Sequence, residues 1–154
     1  MLHLGDETVI YLRERIAFCR TELDDLAEYQ GLGWATYQID RKSRRNVERI
    51  AENVCNAMID ISKSLLLAMQ VPPPATYREV LRSLSATGVA DEKEAEVLSR
   101  LAPLRNSLSH NYLDYRWKAI QEFMHEHSAL IQIILDRLQT LIGKISLDSR
   151  NGRG

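Results

Sequence analysis

The chain has 154 residues, 45% hydrophobic and 27% charged, with 20 Lys and Arg against 21 Asp and Glu for a net charge of -1. That balance fits one soluble globular domain, excludes disorder and collagen-like order, and gives no bulk pull toward nucleic acid or an anionic membrane, so any nucleic-acid role needs a local basic patch. Seven Gly, four Pro and 6% aromatic residues, beside abundant Leu, Ile, Ala, Glu and Arg, favour long helices.

The opening Met1-Leu2-His3-Leu4-Gly5-Asp6 lacks the basic and apolar regions of a signal peptide. No apolar run approaches the roughly 20 residues a membrane span requires, so a cytoplasmic protein without a membrane partner is expected. From Asp6 to Gln30, Val9, Leu12, Ile16, Cys19, Leu23 and Leu26 recur every three or four residues, which predicts an amphipathic helix stopped by Gly31-Leu32-Gly33. A second helix is predicted from Thr36 to Met69, where Val47, Ala51, Val54, Met58, Ile61, Leu65 and Ala68 form a bundle seam. At about 1.5 Å per residue it spans roughly 50 Å and needs a long antiparallel partner. Cys19 and Cys55, the only cysteines, fall inside these helices and read as reduced, buried thiols.

Val71-Pro72-Pro73-Pro74 ends the second helix, because proline lacks a backbone donor and disfavours a helical residue before it. Two short helices follow, opened by the capping-box spacings Thr76-Tyr77-Arg78-Glu79 and Asp91-Glu92-Lys93-Glu94, the first terminated at Gly88. The second carries Val97, Leu101, Leu104 and Leu108 on one stripe toward Tyr112. With Asp114 as N-cap, Trp117, Ile120, Met124, Leu130, Ile131, Ile134, Leu138, Leu141 and Ile145 mark the last long helix. No segment alternates as a strand would, and no internal repeat is present. The expectation is an all-α protein, an up-and-down helical bundle of three long and two short helices over residues 6–145, with a flexible tail over 146–154.

One segment carries chemistry: Arg105-Asn106-Ser107-Leu108-Ser109-His110-Asn111-Tyr112. On an ideal helix Arg105, Ser109, Asn106 and His110 fall at roughly 0°, 40°, 100° and 140°, and Tyr112 returns to about -20°, so the polar groups share one broad face. Arg105 and His110 still diverge. Either the helix ends or distorts between them, with Pro103 contributing because it leaves the Ser99 carbonyl without its usual partner, or a second copy of the chain brings its own pair alongside. An imidazole moves protons near physiological pH and a guanidinium is a permanent fork for phosphate oxygens, a combination suited to 2′-hydroxyl attack on an RNA backbone without metal. From these residues alone, an Arg and a His near a helix C-terminus can equally cap carbonyls and favour the helix dipole.

His125 and His127 lie about 200° apart on the last helix, no Cys/His cluster is present, and no carboxylates have motif spacing, so neither a metal nor a cofactor is expected. His125, His127, Glu122 and Glu126 read as an exposed face. Trp34, Trp117 and Phe123 read as core or dimer-contact residues. Arg41, Lys42, Arg44, Arg45 and Arg49 form a basic cluster that either meets RNA phosphates or a partner's acidic surface, or is simply a solvated helix face.

Arg105 to Tyr112 reads R-x-x-x-x-H-x-Y, beginning with Arg-Asn and preceded by Thr76-Tyr77-Arg78-Glu79-Val80-Leu81 and the Gly88-Val89 turn. With Arg45-Asn46-Val47-Glu48 and Ala57-Met58-Ile59-Asp60-Ile61 on helix two, this resembles the HepT family of HEPN-domain proteins over roughly Asp6 to Ile145. Members are toxins paired with a minimal nucleotidyltransferase antitoxin. The resemblance implies a homodimer whose two motif segments form a composite ribonuclease cleft for an RNA substrate. It further implies that Arg105 stabilises phosphate, His110 acts as acid or base, Asn106 orients or hydrogen-bonds with Ser109 beside it, and Tyr112 receives AMP from the antitoxin. The sequence departs from the family at Ser109, where an apolar residue is common, and at Pro103. The alternative is a non-catalytic helical module that binds a nucleotide or the transferase.

Overall fold

The computed structural model describes residues 2–152, and among them the regular structure is entirely helical. The elements are α1 (Asp6–Leu26), α2 (Trp34–Ile39), α3 (Arg41–Ala68), α4 (Tyr77–Arg82), α5 (Glu92–Ser99), α6 (Leu101–Ser107), α7 (Leu113–Glu122) and α8 (Ser128–Asn151). A π-helical segment, Phe123–His127, joins α7 to α8.

The all-α bundle is as expected, and its direction is legible from pairs along the helices. Asn53 on α3 donates to Glu22, whereas Asn46, nearer the start of α3, donates to Tyr29, so α1 and α3 are antiparallel. Arg20 reaches Gln132, Asp136 and Gln139 on α8. The short helices α4 to α6 carry the chain back between α3 and the last pair. The predicted seam of Val47, Ala51, Val54, Met58, Ile61 and Leu65 is buried within this single chain. Each of the Val, Ile, Leu and Met side chains contributes on the order of 1.5–3 kcal/mol when removed from water. A dimer, if formed, uses another surface.

Five boundaries differ from the sequence expectation. The second helix does not run unbroken from Thr36: Asp40 leaves helical geometry (φ -86°, ψ 91°) and caps α3, accepting from the Lys42 and Ser43 amides. The Ser43 bonds hold its carboxyl below the usual carboxylate range. The apolar stripe starts only at Val47, so periodicity gave no sign of this break. The second short helix divides at Arg100 and its latter part stops at Ser107, short of Tyr112. The last helix starts at Leu113 with Tyr112 as N-cap, not at Asp114. It continues to Asn151, past the Ile145 boundary where a tail was expected; positions 153 and 154 of that tail lie outside the described residues.

Other punctuation is as the sequence predicts. Thr76 caps α4, Asp91 and Glu94 form a reciprocal capping box on α5, and Gly88 takes the left-handed conformation at φ 78°. Cys19 and Cys55 are free and buried, and burial pushes both thiols up to about 12. No helix among the described residues is long and apolar enough to cross a membrane.

Candidate functional site

The break at Arg100 decides how the motif is presented. It places Pro103 in the first turn of α6, where a missing amide proton costs no intrahelical bond. At the other end the Leu108, Ser109 and His110 amides donate to the carbonyls three residues earlier, at Arg105, Asn106 and Ser107. Those tighter bonds close the helix. Arg105 and Asn106 therefore stay on α6, while His110 and Tyr112 lie beyond it, and the ideal-helix angles assigned to those two do not hold.

Arg105 is half-buried between α6 and α3. Its Nε–H donates to Asn56 Oδ1 at 2.5 Å, and its guanidinium carbon lies 5.9 Å from the centre of the Tyr77 ring. The Lys63 ammonium sits 4.7 Å from the same ring centre. Neither cation forms an ion pair among the described residues. The bond to Asn56 uses the guanidinium's inner edge and leaves its two terminal nitrogens for a ligand.

His110 is exposed and clusters with two tyrosines. Its ring stacks on Tyr115 at 4.5 Å between centres and lies 5.2 Å from Tyr112, and these tyrosines are 65% (Tyr112) and 56% (Tyr115) exposed. The Tyr112 amide donates to His110 Nδ1 at 3.3 Å. That bond assigns Nδ1 as acceptor, so the neutral ring carries its proton on Nε2, directed away from its own backbone. Asn106 and Ser109 are exposed, with only backbone hydrogen bonds among those described. No hydrogen bond, ion pair or ring contact joins Arg105 to His110 within the chain.

The segment after His110 is held by α7. Arg116 pairs with Glu48 of α3 at 3.4 Å, Glu48 also accepts from the buried Tyr37 hydroxyl at 2.9 Å, and Tyr37 packs with Trp34 and Trp117. Burial and the Glu48 carboxylate push the Tyr37 phenol well up. Trp117 and the fully buried Phe123 are thus packing residues, whereas Trp34, 38% exposed, lies at the surface against Tyr37 and Trp117.

The basic cluster divides. Arg44 donates to the Tyr37 and Gln38 carbonyls, both at 2.9 Å, and so caps the end of α2. Arg41, Lys42 and Arg45 are exposed, and Arg45 and Arg49 border a cleft of about 490 Å³ that Leu108 of the motif also lines. On the last helix His125 is exposed and pairs with Gln121, but His127 is fully buried with neither ring nitrogen hydrogen-bonded. This corrects the exposed-face expectation. His127 lies three residues after Met124 and four before Ile131, so seam position outweighs polarity, and burial lowers its pKa. Among the described residues no three His, Cys, Asp or Glu side chains gather as a metal site requires.

Asn56, Lys63 and Tyr115 were not singled out in the sequence. Asn56 and Lys63 are seven residues apart on α3 and share its polar face; that spacing was readable, but their convergence with Arg105 depends on how α6 docks.

Over residues 19–138 the chain matches the family described as Ribonuclease HepT-like. No curated protein matches it. Six chains of solved structures do, including one from a crystal structure of a toxin–antitoxin with AMP-PNP, which aligns with a TM-score of 0.69 at 16% identity and covers 88% of this chain and 99% of its own. At that identity the likeness establishes a shared fold.

Proposed function

Because the chain belongs to the HepT-like ribonuclease family, we propose that it is the toxin of a toxin–antitoxin pair, a homodimeric, metal-independent ribonuclease. The carrying observation is the split of its motif: Arg105 stays anchored on α6 by Asn56, while His110 leaves the helix with Nε2 free and exposed. In the reaction, the RNA 2′-hydroxyl loses its proton and attacks the adjacent phosphorus, and the bond to the 5′-oxygen breaks as that oxygen gains a proton. The products are a 2′,3′-cyclic phosphate and a 5′-hydroxyl. Arg105 stabilises the charge on the phosphoryl oxygens and His110 transfers the proton. Since the two groups are not in contact within one chain, Arg105 of one copy and His110 of another complete the site across a two-fold axis. Asn106 and Ser109 border it as hydrogen-bonding groups. A minimal nucleotidyltransferase partner silences the site by attaching AMP to Tyr112.

Complementation tests the composite site. Arg105→Ala and His110→Ala proteins are each inactive on RNA, and co-refolding them restores cleavage in mixed dimers, with cyclic-phosphate ends on the products. Two inactive variants that stay inactive when mixed, although mass spectrometry detects the mixed dimer, overturn it. A folded wild-type protein that binds RNA or nucleotide without cutting supports the binding-module alternative.

A further inference from the structure

The polar face of α3 has a feature that the motif does not account for. At about 100° per residue, Arg45, Arg49, Asn56 and Lys63 fall within roughly 40° of one another, a stripe running ~27 Å along the helix. Glu52 and Asp60 are the acids at its two edges, each about 20° outside it. The motif runs beside it in the opposite direction, with Arg105 at Asn56 and Leu108 at the cleft of Arg45 and Arg49. At the far end, Lys63 and Arg105 share the Tyr77 ring at 4.7 and 5.9 Å, with Tyr77 46% exposed.

Two cations drawn to one aromatic ring repel each other, and their charges are no farther apart than about one Debye length at 0.1 M salt. The ring's negative face offsets part of that repulsion, and no carboxylate pairs with either cation among the described residues. An anion bound within reach of both would relieve the rest. We infer that Lys63, Tyr77 and Arg105 form a phosphate subsite for the RNA backbone, and that the α3 stripe from Lys63 to Arg45 is the track along which the strand passes the motif. Arg105 handles the phosphate at the reacting centre, and Lys63 holds a neighbouring one. Tyr77 is the ring both cations contact. The α3 part of the track reads backbone charge and not base identity, because no α3 residue is aromatic and Tyr77 at its end is engaged by the two cations.

This inference rests on the ribonuclease reading, and binding to an uncleavable probe separates the two. The probe is a fluorescent single-stranded oligoribonucleotide with 2′-O-methyl groups, titrated against full-length protein at several salt concentrations. Lys63→Met is expected to weaken binding roughly fivefold at low salt and to lower the slope of log K against log salt by about 0.7, the loss of one single-strand phosphate contact. Lys63→Arg restores both values. Lys63→Gln serves as a second neutral variant if Lys63→Met lowers the melting temperature. Wild-type affinity and slope in a folded neutral variant overturn the subsite, and so does a wild-type protein that does not bind the probe. If the probe binds as expected but unmodified RNA is never cut, the track stands and the ribonuclease reading falls.

Discussion

Arg105 Nε–H and Asn56 Oδ1 meet at 2.5 Å, a side-chain bond between α6 and α3 that orients the motif's guanidinium from its inner edge. Asn56 is thereby a positioning residue. Asn56→Leu should lower kcat about tenfold, roughly 1.4 kcal/mol of transition-state stabilisation, with little change in KM. Asn56→Asp, which keeps the acceptor, should recover most of the rate. Equal loss in both variants would assign Asn56 to substrate contact instead.

In the proposed reaction Arg105 supplies charge stabilisation and His110 proton transfer, so Arg105→Ala and His110→Ala should each reduce cleavage by at least ~10²-fold. His110 is exposed and engaged only through Tyr112 and Tyr115, so its removal should leave unfolding free energy within about 0.5 kcal/mol of wild type. Chelators should leave the wild-type rate unchanged. Denaturant titration and product analysis on the same preparations check these points, and a large loss of stability in both variants would return the motif to a capping role.

Much of this was legible before any coordinates, for reasons particular residues make plain. The α1, α3 and α8 stripes are regular enough to impose burial, and Thr76, Gly88 and Asp91 punctuate the chain through local bonds alone. The motif residues were found by type and spacing, but not their geometry. Helix termination after Ser107 depends on which carbonyls the last amides choose, and the division at Arg100 leaves no apolar irregularity to read. Asn56 and Lys63 were polar residues on an exposed face until the docking of α6 and α4 brought Arg105 and Tyr77 against them. His127 is buried because its position in the seam outweighs its residue type.

The end of α3 carries strain that a substitution should relieve. Gln70 is left-handed at φ 59°, and the Gln70 and Val71 amides donate back to Leu67 at 3.0 Å and Leu66 at 2.9 Å, closing a Schellman turn. A side chain costs about 1 kcal/mol in that conformation, which glycine adopts freely. Gln70→Gly is therefore expected to stabilise the protein by about 0.5–1 kcal/mol without altering cleavage. Gln70→Ala, lacking that freedom, should not. Thermal melting of the pair is the measurement.

His127 should make stability fall on the acid side. Burial holds its folded-state pKa below the ordinary 6.5, so the unfolded chain takes up a proton there before the folded one does. Above that pH the ring is neutral in both states and adds no pH dependence; as pH falls through 6.5 toward the folded value, stability is lost at no more than about 1.4 kcal/mol per pH unit. His127→Met fills similar space without an unpartnered nitrogen and should flatten that part of the profile. Urea titrations between neutral pH and pH 5 decide it, and parallel profiles for the two proteins would remove His127 as the cause.

Tyr112 offers the most direct route to control. Its ring is 65% exposed and lies 5.2 Å from the His110 ring, while its amide holds His110 Nδ1. A group attached to its phenol oxygen would therefore cover the imidazole before it reached Arg105, which sits back on α6 against Asn56. In the expected transfer the phenol oxygen attacks the α-phosphorus of ATP, pyrophosphate leaves, and the phenolic proton passes to solvent. The product carries an added negative charge and a nucleotide beside Nε2, excluding an RNA phosphate from the proton-transfer position. Co-expression with a cognate nucleotidyltransferase should add AMP to Tyr112 and abolish cleavage, and Tyr112→Phe should remain folded, cut RNA and escape silencing. Tyr115, a second exposed tyrosine in contact with the imidazole, is the internal control: Tyr115→Phe should still be silenced. Intact-mass measurement with peptide mapping reads the outcome, and a fully neutralised complex with an unmodified Tyr112 would make inhibition a matter of steric cover alone.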